Sequence, residues 1–523
     1  MMDRSRKISY TVLSISLAGM LICLCIFLRH SVLACHDSLA DMVYARTETA
    51  GQSYKRAMDF CLARGRVGFI FPLVVTFRQI VNGHGNYASV WMLQHLPIMA
   101  DVILVSWIIY KKTSPVYGMF FGMCFMGFLQ VNVWHSLIDC YPLDFMYGLF
   151  ISVLALWFFQ EHLEKPGDKK FIILSVFLFY ESMQAYEPFL FACFVYALLA
   201  FFNARAKKEK IKTFIGSLIP HAVTSAVFLG ILIFLRRHPV VIEDVTPIDS
   251  YGTAGGFIKT WYTFSIGMFP LTHIRNVGFS SWLFTPDSMK GHIPFVIFST
   301  VSMILSVILM FGSYRKAAPE KRKKTDRSLV VLGLSGLLYA VFFPLSHALT
   351  ENYQKWVTEG EAGGYVPTAI SYYGWILFLS CIACFVVNKI ASGNRRYLRT
   401  AALIFAAFAF FFGSHFTSVI NEYFRDEYAS TGASVSSKAE AFYDMIEDVA
   451  GSGIHYDVIY VPDYMGINGD IEMNERFAES VLGYDIEIVN EEDEFESYLQ
   501  QGARAAEFDY KEEDRQGVFG EVG

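Results

Sequence analysis

Residues 4–28, RSRKISYTVLSISLAGMLICLCIFL, decide the class of this protein. Three basic residues, Arg4, Arg6 and Lys7, precede an apolar run of about 20 residues, which is long enough to cross a hydrocarbon core of roughly 30 Å. A signal peptide begins in the same way, but this run is long, has no clear A-x-A cleavage pattern and is followed by further apolar runs. We therefore expect an uncleaved first membrane helix.

The composition agrees with this assignment. Of 523 residues, 54% are hydrophobic and 18% are charged, whereas an average soluble domain has roughly 25% charged residues. Runs long enough to span a membrane recur along the chain. They predict a mainly α-helical, polytopic bundle with eleven spans, at 9–29, 89–110, 114–134, 143–160, 171–183, 187–203, 213–235, 292–312, 329–347, 367–388 and 400–418.

Basic residues predict the orientation of the bundle. Six clusters hold 24 of the 43 Lys and Arg residues, and eleven crossings place all six on the same side. Because basic loops stay in the cytoplasm, we expect a cytoplasmic amino terminus, an extracytoplasmic carboxyl terminus and residence in the plasma membrane. The outward segments are then 35–88, 135–142, 236–291, 348–366 and the tail from 419.

If all basic clusters lie on one side, the number of membrane crossings between any two of them must be even. This requirement constrains two ambiguous stretches. The apolar run 67–82 must lie in the interface or enter the membrane and return, and 171–203 must be two short spans. The segment between those two spans, Glu181–Pro188, carries two acids that would cost about 2.5–3.5 kcal/mol each at a bilayer centre. We therefore expect this segment at the outer surface.

The tail, residues 419–523, differs from the rest of the chain. It contains 26 Asp and Glu against 6 Lys and Arg. Helical spacing over 437–450 and 473–482, and strand-like runs at 456–461 and 484–489, predict a small extracytoplasmic α/β domain that frays from about residue 501. The domain organisation is therefore a transmembrane domain, 1–418, and an acidic tail, 419–523. We interpret the acids of the tail as a solvated face rather than a metal site.

The first outer loop contains the acids of greatest interest. Asp37 and Asp41 follow the first span, and apolar residues at helical spacing predict two amphipathic helices that lie flat in the interface. Asp37 at headgroup level suits a general base acting on an acceptor hydroxyl, and Asp41 is the alternative base. An equally acceptable interpretation is that Asp37 or Ser38 caps a helix over 38–47.

Further acids follow later spans. Asp139 and Asp144 bracket the start of the span at 143, and Glu187 lies between the two short spans. Asp139 or Asp144 either caps a helix, forms the second acid of a pair, or binds a divalent cation together with Asp37. His36 beside Asp37 is weak evidence for a metal, so a divalent cation remains an option rather than a prediction.

Basic residues are normally enriched in cytoplasmic loops, so arginines on the outer side are expected to have specific partners. We consider five of them candidates to bind a phosphate, with lipid headgroups or local acids as the alternative partners: Arg64, Arg66, Arg236, Arg237 and Arg275. Trp261 and Tyr262 suit stacking on a sugar ring, although interfacial aromatic residues are common in all membrane proteins.

The nine cysteines carry little functional information. Cys381 and Cys384 have C-x-x-C spacing but lie within a predicted span, which argues against a redox or zinc site. Cys35 and Cys61 share the first outer loop, where a disulfide is one alternative and free thiols are the other.

These features together resemble the GT-C superfamily of polytopic membrane glycosyltransferases, and are similar to the bacterial Gtr-type O-antigen glucosyltransferases. The matching features are an acid after the first span (Asp37), interface helices, the pair Gly65-Arg66 before the next apolar run, and an acid after the third span (Asp139 or Asp144). The segment Gln184-Ala185-Tyr186-Glu187 between two short spans is also similar. The resemblance covers residues 1–235 in order and the topology to residue 418.

The resemblance implies a GT-C-like fold and transfer of a sugar from a polyprenyl-phosphate donor to a glycan or lipid-linked acceptor on the outer face. Asp37 would then be the base, and the arginines would hold the donor phosphate. The chain departs from the family in having Asp37 followed by Ser38 rather than by a second acid. A polysaccharide polymerase or ligase, or a flippase, would share much of this pattern. No internal repeat is evident, and the charges cluster at one face, which favours surface chemistry over transport.

Overall fold

The structure is a computed structural model that describes residues 4–28, 36–84, 87–130, 142–207, 211–238, 252–272, 292–359, 366–462, 471–511 and 516–522. Its helices before the tail are α1 (Arg4–Leu28), α2 (His36–Thr47), α3 (Ala50–Ala63), α4 (Ile70–His84), α5 (Tyr87–Lys112), α6 (Pro115–Gly127), α7 (Pro142–Glu164), α8 (Lys169–Ala185), α9 (Ala192–Lys207), α10 (Ile211–Arg237), α11 (Ala254–Ile266), α12 (Ile293–Lys316), α13 (Pro319–Phe342), α14 (Leu345–Ala348), α15 (Glu351–Glu359), α16 (Val366–Ser392) and α17 (Arg396–Ser452).

The predicted fold class, a polytopic α-helical membrane bundle with a small C-terminal sheet, is confirmed. Within the described residues, nine segments are long and apolar enough to cross a membrane. Two further helices occupy the positions of the other predicted spans but are shorter: α6 has 13 residues and α8 has 17. The nine are Lys7–Ile26, Ser89–Lys112, Leu143–Glu164, Glu187–Arg205, Phe214–Arg237, Ile293–Lys316, Pro319–Ala348, Pro367–Ser392 and Arg396–Tyr423.

Aromatic side chains and glycines pack the bundle. Phe121, Phe125 and Tyr372 are each at most 2% exposed in the largest core cluster. Helices α13 and α16 approach closely where Gly336 faces Gly374, since a Cβ on Gly336 would lie 2.6 Å from the carbonyl oxygen of Gly374. Small residues allow such backbone contact between membrane helices.

The first outer loop forms the predicted pair of helices. Thr49 caps α3 through a capping box, in which its side chain accepts from the N–H of Gln52 and the Gln52 side chain accepts from the N–H of Thr49. Helix α2 begins at His36, which places Asp37 and Ser38 in its first turn. The run 67–82 contributes α4, which has 15 residues and is not among the nine spans.

The end of α8 is buried within the protein. A short 3-10 helix, Glu187–Phe191, follows α8. Glu181 is 1% exposed and Gln184 is fully buried. The acids of this segment therefore depend on protein partners, which are described below.

The tail forms a four-stranded sheet with two helices. Its strands are β1 (Val458–Tyr460), β2 (Glu487–Val489), β3 (Ala505–Lys511) and β4 (Gln516–Val522), and its helices after α17 are α18 (Ile471–Leu482) and α19 (Glu492–Gln500). The strand order is β2-β1-β3-β4, with β1 parallel to β2 and β3, and β3 antiparallel to β4. The predicted strands and helix are confirmed, but the predicted fraying from about 501 is wrong, because β3 and β4 form an antiparallel pair there.

The tail is continuous with the bundle and packs against the first outer loop. Helix α17 passes uninterrupted through residue 418, where the sequence predicts the domain boundary. Val43 of α2 and Val90 of α5 belong to the same buried cluster as Phe442 and Phe477 of the tail. The tail therefore supports α2, the helix that carries Asp37 and Asp41.

Candidate functional site

A tight turn between α3 and α4 brings the predicted arginines to one place. Arg64 ends α3, Gly65 has φ +79°, and the N–H of Arg66 donates to the Cys61 carbonyl oxygen at 2.7 Å. A Cβ on Gly65 would lie 2.8 Å from the Leu232 side chain of α10. Glycine is thus required both by the positive φ and by the close approach of α10.

Arg66 binds Glu187 through a bidentate ion pair. The Arg66 Nε donates to Glu187 Oε1 at 3.0 Å and its Nη2 donates to Oε2 at 2.8 Å. The two side chains are 12% and 20% exposed. Burial works to lower the pKa of Arg66, but the Glu187 carboxylate raises it overall, so the guanidinium stays charged. The buried acid of the α8–α9 segment is therefore neutralised by the first outer loop.

The end of α8 also holds the backbone of this turn. The Gln184 Oε1 accepts from the N–H of Val67, the Glu181 Oε2 accepts from the N–H of Ile70 at 3.3 Å, and the Tyr180 hydroxyl donates to the Val67 carbonyl oxygen at 3.0 Å. A Cβ on Gly68 would lie 2.6 Å from the Gln184 Cβ. Side chains of α8 thus supply the hydrogen-bond partners that the backbone of an isolated turn would lack.

Arg78 of α4 joins two of the predicted acids. Its Nε lies 2.8 Å from Asp41 Oδ2, its Nη2 donates to Asp41 Oδ1 at 3.1 Å, and its Nη1 donates to Asp144 Oδ2. Asn82 also donates to Asp41 Oδ2, at 3.3 Å. Burial raises the pKa of Asp41, an effect that the Arg78 guanidinium opposes. Asp144 lies in the first turn of α7, where a carboxylate is favoured by the helix dipole.

The two acid–arginine units lie close to each other. Groups of both units act on the buried Cys61 thiol: burial raises its pKa to about 11, Arg66 opposes the shift, and the carboxylates of Asp144 and Glu187 add to it. Asp144 in turn interacts electrostatically with Arg66 as well as Arg78. Asp41, Arg78, Asp144, Arg66 and Glu187 thus form one charged cluster, which we call the acid–arginine cluster.

A hydrogen-bonded pair of aromatic side chains borders the cluster. The Tyr186 hydroxyl is hydrogen-bonded to the His347 Nε2, and the Tyr186 ring packs edge-on against Phe145 at 4.6 Å. Arg66 lies over the Tyr186 ring at 5.8 Å. These contacts connect α14 to the segment between α8 and α9.

Three of the predicted arginines have no ion-pair partner among the described residues. Arg64 is half-buried, and its guanidinium lies 5.1 Å from the Phe60 ring centre. Arg236 and Arg237 are exposed at the end of α10, and Arg236 is close enough to act electrostatically on Glu187. These guanidiniums remain available for an anion beside the acid–arginine cluster.

The remaining candidates fall elsewhere. Asp37 is the second residue of α2, and its side chain lies outside the described part of the chain. Asp139, Arg275 and Cys35 also fall in undescribed segments, while Cys61 is a free thiol. Trp261 is half-buried in α11 and its indole N–H donates to the Val341 carbonyl oxygen at 2.7 Å. Tyr262, by contrast, is 58% exposed.

The acids that the structure brings together face a guanidinium. Asp41 and Asp144 both contact Arg78, so each carboxylate has a guanidinium as its partner. No group of three or more His, Cys, Asp or Glu with metal-binding geometry occurs in the described segments. The described carboxylates of the site therefore fit an arginine better than a cation.

Sequence reasoning missed two charged residues, Arg78 and Asp101, and it named Glu181 and Gln184 without assigning them a role in the site. Arg78 is the only basic residue in the helix IFPLVVTFRQIVNGH other than its terminal histidine, which is a recognisable signal for a buried ion pair. Asp101 is fully buried within a membrane span, and neither carboxylate oxygen has a hydrogen-bond partner among the described residues. The expectation that all charges cluster at one face is therefore wrong at Asp101.

No family model and no curated protein matches this sequence. Among solved structures, the chain is similar to ArnT from Cupriavidus metallidurans bound to undecaprenyl phosphate, with 11% sequence identity, 97% of each chain covered and a TM-score of 0.38. Because both the identity and the TM-score are low, the functional proposal rests on the residues of the site.

Proposed function

We propose that this chain is a GT-C-like membrane glycosyltransferase that moves a sugar, such as glucose, from a polyprenyl-phosphate-linked donor to a cell-surface glycan or lipid-linked acceptor. The observation that carries the proposal is the acid–arginine cluster at the ends of membrane helices, beside guanidiniums that have no ion pair within the described segments. Such a site offers both a carboxylate base and cations for a phosphate leaving group.

The chemistry needs one proton acceptor and one anion site. A carboxylate removes the proton from an acceptor hydroxyl, whose oxygen forms a bond to the anomeric carbon of the sugar. The bond between that carbon and the phosphate oxygen breaks, and the electron pair leaves with the phosphate. The proton stays on the carboxyl group, and the charge that develops on the phosphate is stabilised by arginine.

Asp37 and Asp41 are the candidates for the base. They are four residues apart in α2, which places them on the same side of that helix. Burial raises the pKa of Asp41, which makes its carboxylate a better proton acceptor, and the Arg78 guanidinium opposes that shift. Arg64, Arg236 and Arg237, which have no ion pair in the part of the chain that the structure describes, would bind the donor phosphate.

The orientation and domain organisation belong to the same proposal. We place the acid–arginine cluster on the outer face, the amino terminus in the cytoplasm and residues 419–523 outside, as the distribution of basic clusters favours. The packing of the tail on α2 supports a tail that stabilises the site from the same side.

The test measures transfer from radiolabelled polyprenyl-phosphate sugars by membranes that contain wild-type protein, Asp37→Asn or Asp41→Asn. The control is Asp59→Asn, which removes a partly exposed acid of α3 whose partner, Lys55, is solvent-exposed. We expect one of the first two variants to lose transfer by at least about 100-fold, as removal of a general base does, and the control to retain it.

Each outcome has a consequence. If only Asp37→Asn loses activity, Asp37 is the base and Asp41 orients Arg78. If neither variant loses activity, the proposed base is wrong. If wild-type protein transfers no sugar from any donor, the glycosyltransferase proposal is overturned.

Asp101 favours a second candidate function, a flippase or transporter of lipid-linked sugars. An ionisable side chain that is buried and unpaired in a membrane span is characteristic of transport pathways. The test follows a fluorescent lipid-linked sugar across the membrane of vesicles that contain the purified protein. Movement in wild-type protein that is lost in Asp101→Asn would favour this candidate over the enzyme.

A further inference from the structure

The end of α8 has unused hydrogen-bonding atoms next to the acid–arginine cluster. Glu181 and Gln184 each use one side-chain oxygen to hold the turn between α3 and α4. The other polar atom of each side chain, Glu181 Oε1 and Gln184 Nε2, is buried and has no hydrogen-bond partner among the described residues. Both side chains are at most 1% exposed.

Helix α7 contributes two more such atoms. The Tyr147 hydroxyl and Asp144 Oδ1 are buried and, within the described part of the chain, unpartnered. Asp144 and Tyr147 are three residues apart, so they share one face of α7. Tyr147 packs against the buried apolar cluster that contains Ala185 of α8, so its side chain lies toward the end of α8 that carries Glu181 and Gln184.

Four unpaired polar atoms in one region are costly. Each buried donor or acceptor without a partner destabilises a fold by about 1–3 kcal/mol, and native structures contain few of them. Other buried polar atoms of the described residues also have no partner, the Tyr196 hydroxyl among them, but these four are concentrated where α7 and α8 border the acid–arginine cluster. The unpaired atoms therefore indicate a polar ligand.

The chemistry of the four atoms selects the ligand class. Glu181 and Asp144 offer acceptors, Gln184 offers a donor, and the Tyr147 hydroxyl offers either. Two carboxylates disfavour a phosphate or another anion at this position. The neighbouring hydroxyls of a sugar, each of which can both donate and accept a hydrogen bond, match this mixed set of donors and acceptors.

We propose that Glu181, Gln184 and Tyr147 bind the hydroxyls of the sugar that is transferred, with Asp144 at the edge toward Arg78. This inference rests on the proposed function, because it assigns the sugar to the α7–α8 side of the cluster and the phosphate to the arginines. These three residues then determine which sugar the site accepts.

The test compares Tyr147→Phe and Gln184→Glu with wild-type protein. Gln184→Glu keeps an oxygen for the N–H of Val67 but replaces the donor with a carboxylate oxygen, which adds a negative charge near Glu181. Tyr147→Phe removes a single hydroxyl without a change of charge and is therefore the cleaner of the two variants. Two quantities are measured: the KM for the polyprenyl-phosphate sugar and the inhibition constant of polyprenyl phosphate without sugar. Loss of one hydrogen bond should raise KM by about 3- to 10-fold and leave the inhibition constant unchanged.

The matched control is Tyr196→Phe, which removes a buried hydroxyl from α9 among Phe159, Phe179 and His221. It should alter neither quantity. The sugar site is overturned if Tyr147→Phe and Gln184→Glu keep the wild-type KM, or if KM and the inhibition constant rise together, as they would for a purely structural role. A wild-type protein without transfer activity would instead overturn the proposed function, and the sugar assignment with it.

Discussion

The Arg66 guanidinium forms a bidentate ion pair with the Glu187 carboxylate, 121 residues further along the chain. This contact joins the first outer loop to the segment between α8 and α9. It also removes the energetic reason to keep Glu187 at the surface, since a paired charge tolerates burial.

Removal of either partner of this ion pair should destabilise the protein. Arg66→Ala or Glu187→Ala leaves a mostly buried charge unpaired, which we expect to cost about 2–4 kcal/mol because the pair retains some solvent exposure. Thermal unfolding in detergent provides the measurement. The double variant should lose less than the sum of the two single losses, and strict additivity would contradict the pair. Lys55→Ala, which removes an exposed ion pair, is the control and should have no measurable effect.

Asp101→Asn should leave the unfolding temperature equal to or higher than that of wild-type protein. The Asp101 carboxyl is buried without a hydrogen-bond partner in the described segments, so removal of its ionisable group relieves a cost. Asp144→Asn, in which Arg78 loses a partner, should lower the unfolding temperature under the same conditions. A clear loss of stability in Asp101→Asn would mean that Asp101 has a stabilising partner.

Cys61 should not react with maleimide at neutral pH. Its pKa of about 11 leaves roughly one thiolate in ten thousand at pH 7, and the reactive fraction rises about tenfold with each pH unit. The measurement is labelling of a variant that retains only Cys61, with Lys55→Cys in the same background as the exposed control. Denaturation without a reductant should expose the thiol. Rapid labelling of the folded protein at pH 7 would show that Cys61 is accessible and ionised.

Arg46→Glu should loosen the tail from the first outer loop. Arg46 lies 3.6 Å from Asp444 and 3.4 Å from Glu447, and its guanidinium lies over the Tyr443 ring at 5.6 Å. Reversal of its charge places three acids together. We expect faster amide hydrogen exchange in α18 and the adjoining sheet, whereas Lys55→Glu should not change it. Unchanged exchange in Arg46→Glu would show that the apolar contacts of Val43 suffice.

Much of the fold could be predicted from local patterns. The run after Arg4 forms the first membrane helix, and the apolar spacing around Tyr54 and Met58 forms α3. The strands at 458–460 and 487–489 lie within their predicted runs. The prediction failed after residue 501, because β3 and β4 are stabilised by pairing with each other and with β1 rather than by an apolar sequence pattern.

The site could be predicted only in part. The sequence identified Asp41, Arg66, Asp144 and Glu187 as candidates, and the structure brings all four into one cluster. The sequence did not identify which acid pairs with which arginine, and it gave no role to Arg78, the residue that joins two of the acids. Arg66 pairs with Glu187, which is the local-acid alternative that the sequence left open. Our proposal therefore gives the phosphate to the arginines that have no ion pair among the described residues.

The sequence by itself determined the membrane class, the approximate positions of the helices and the identity of most charged groups, because hydrophobic length and helical periodicity are local properties of a chain. Only the tertiary structure decided the partners of those groups: Arg78 between Asp41 and Asp144, and Gln184 on the backbone of Val67. These contacts join residues that are distant in sequence. Their geometry follows from how the helices pack, which no local pattern specifies.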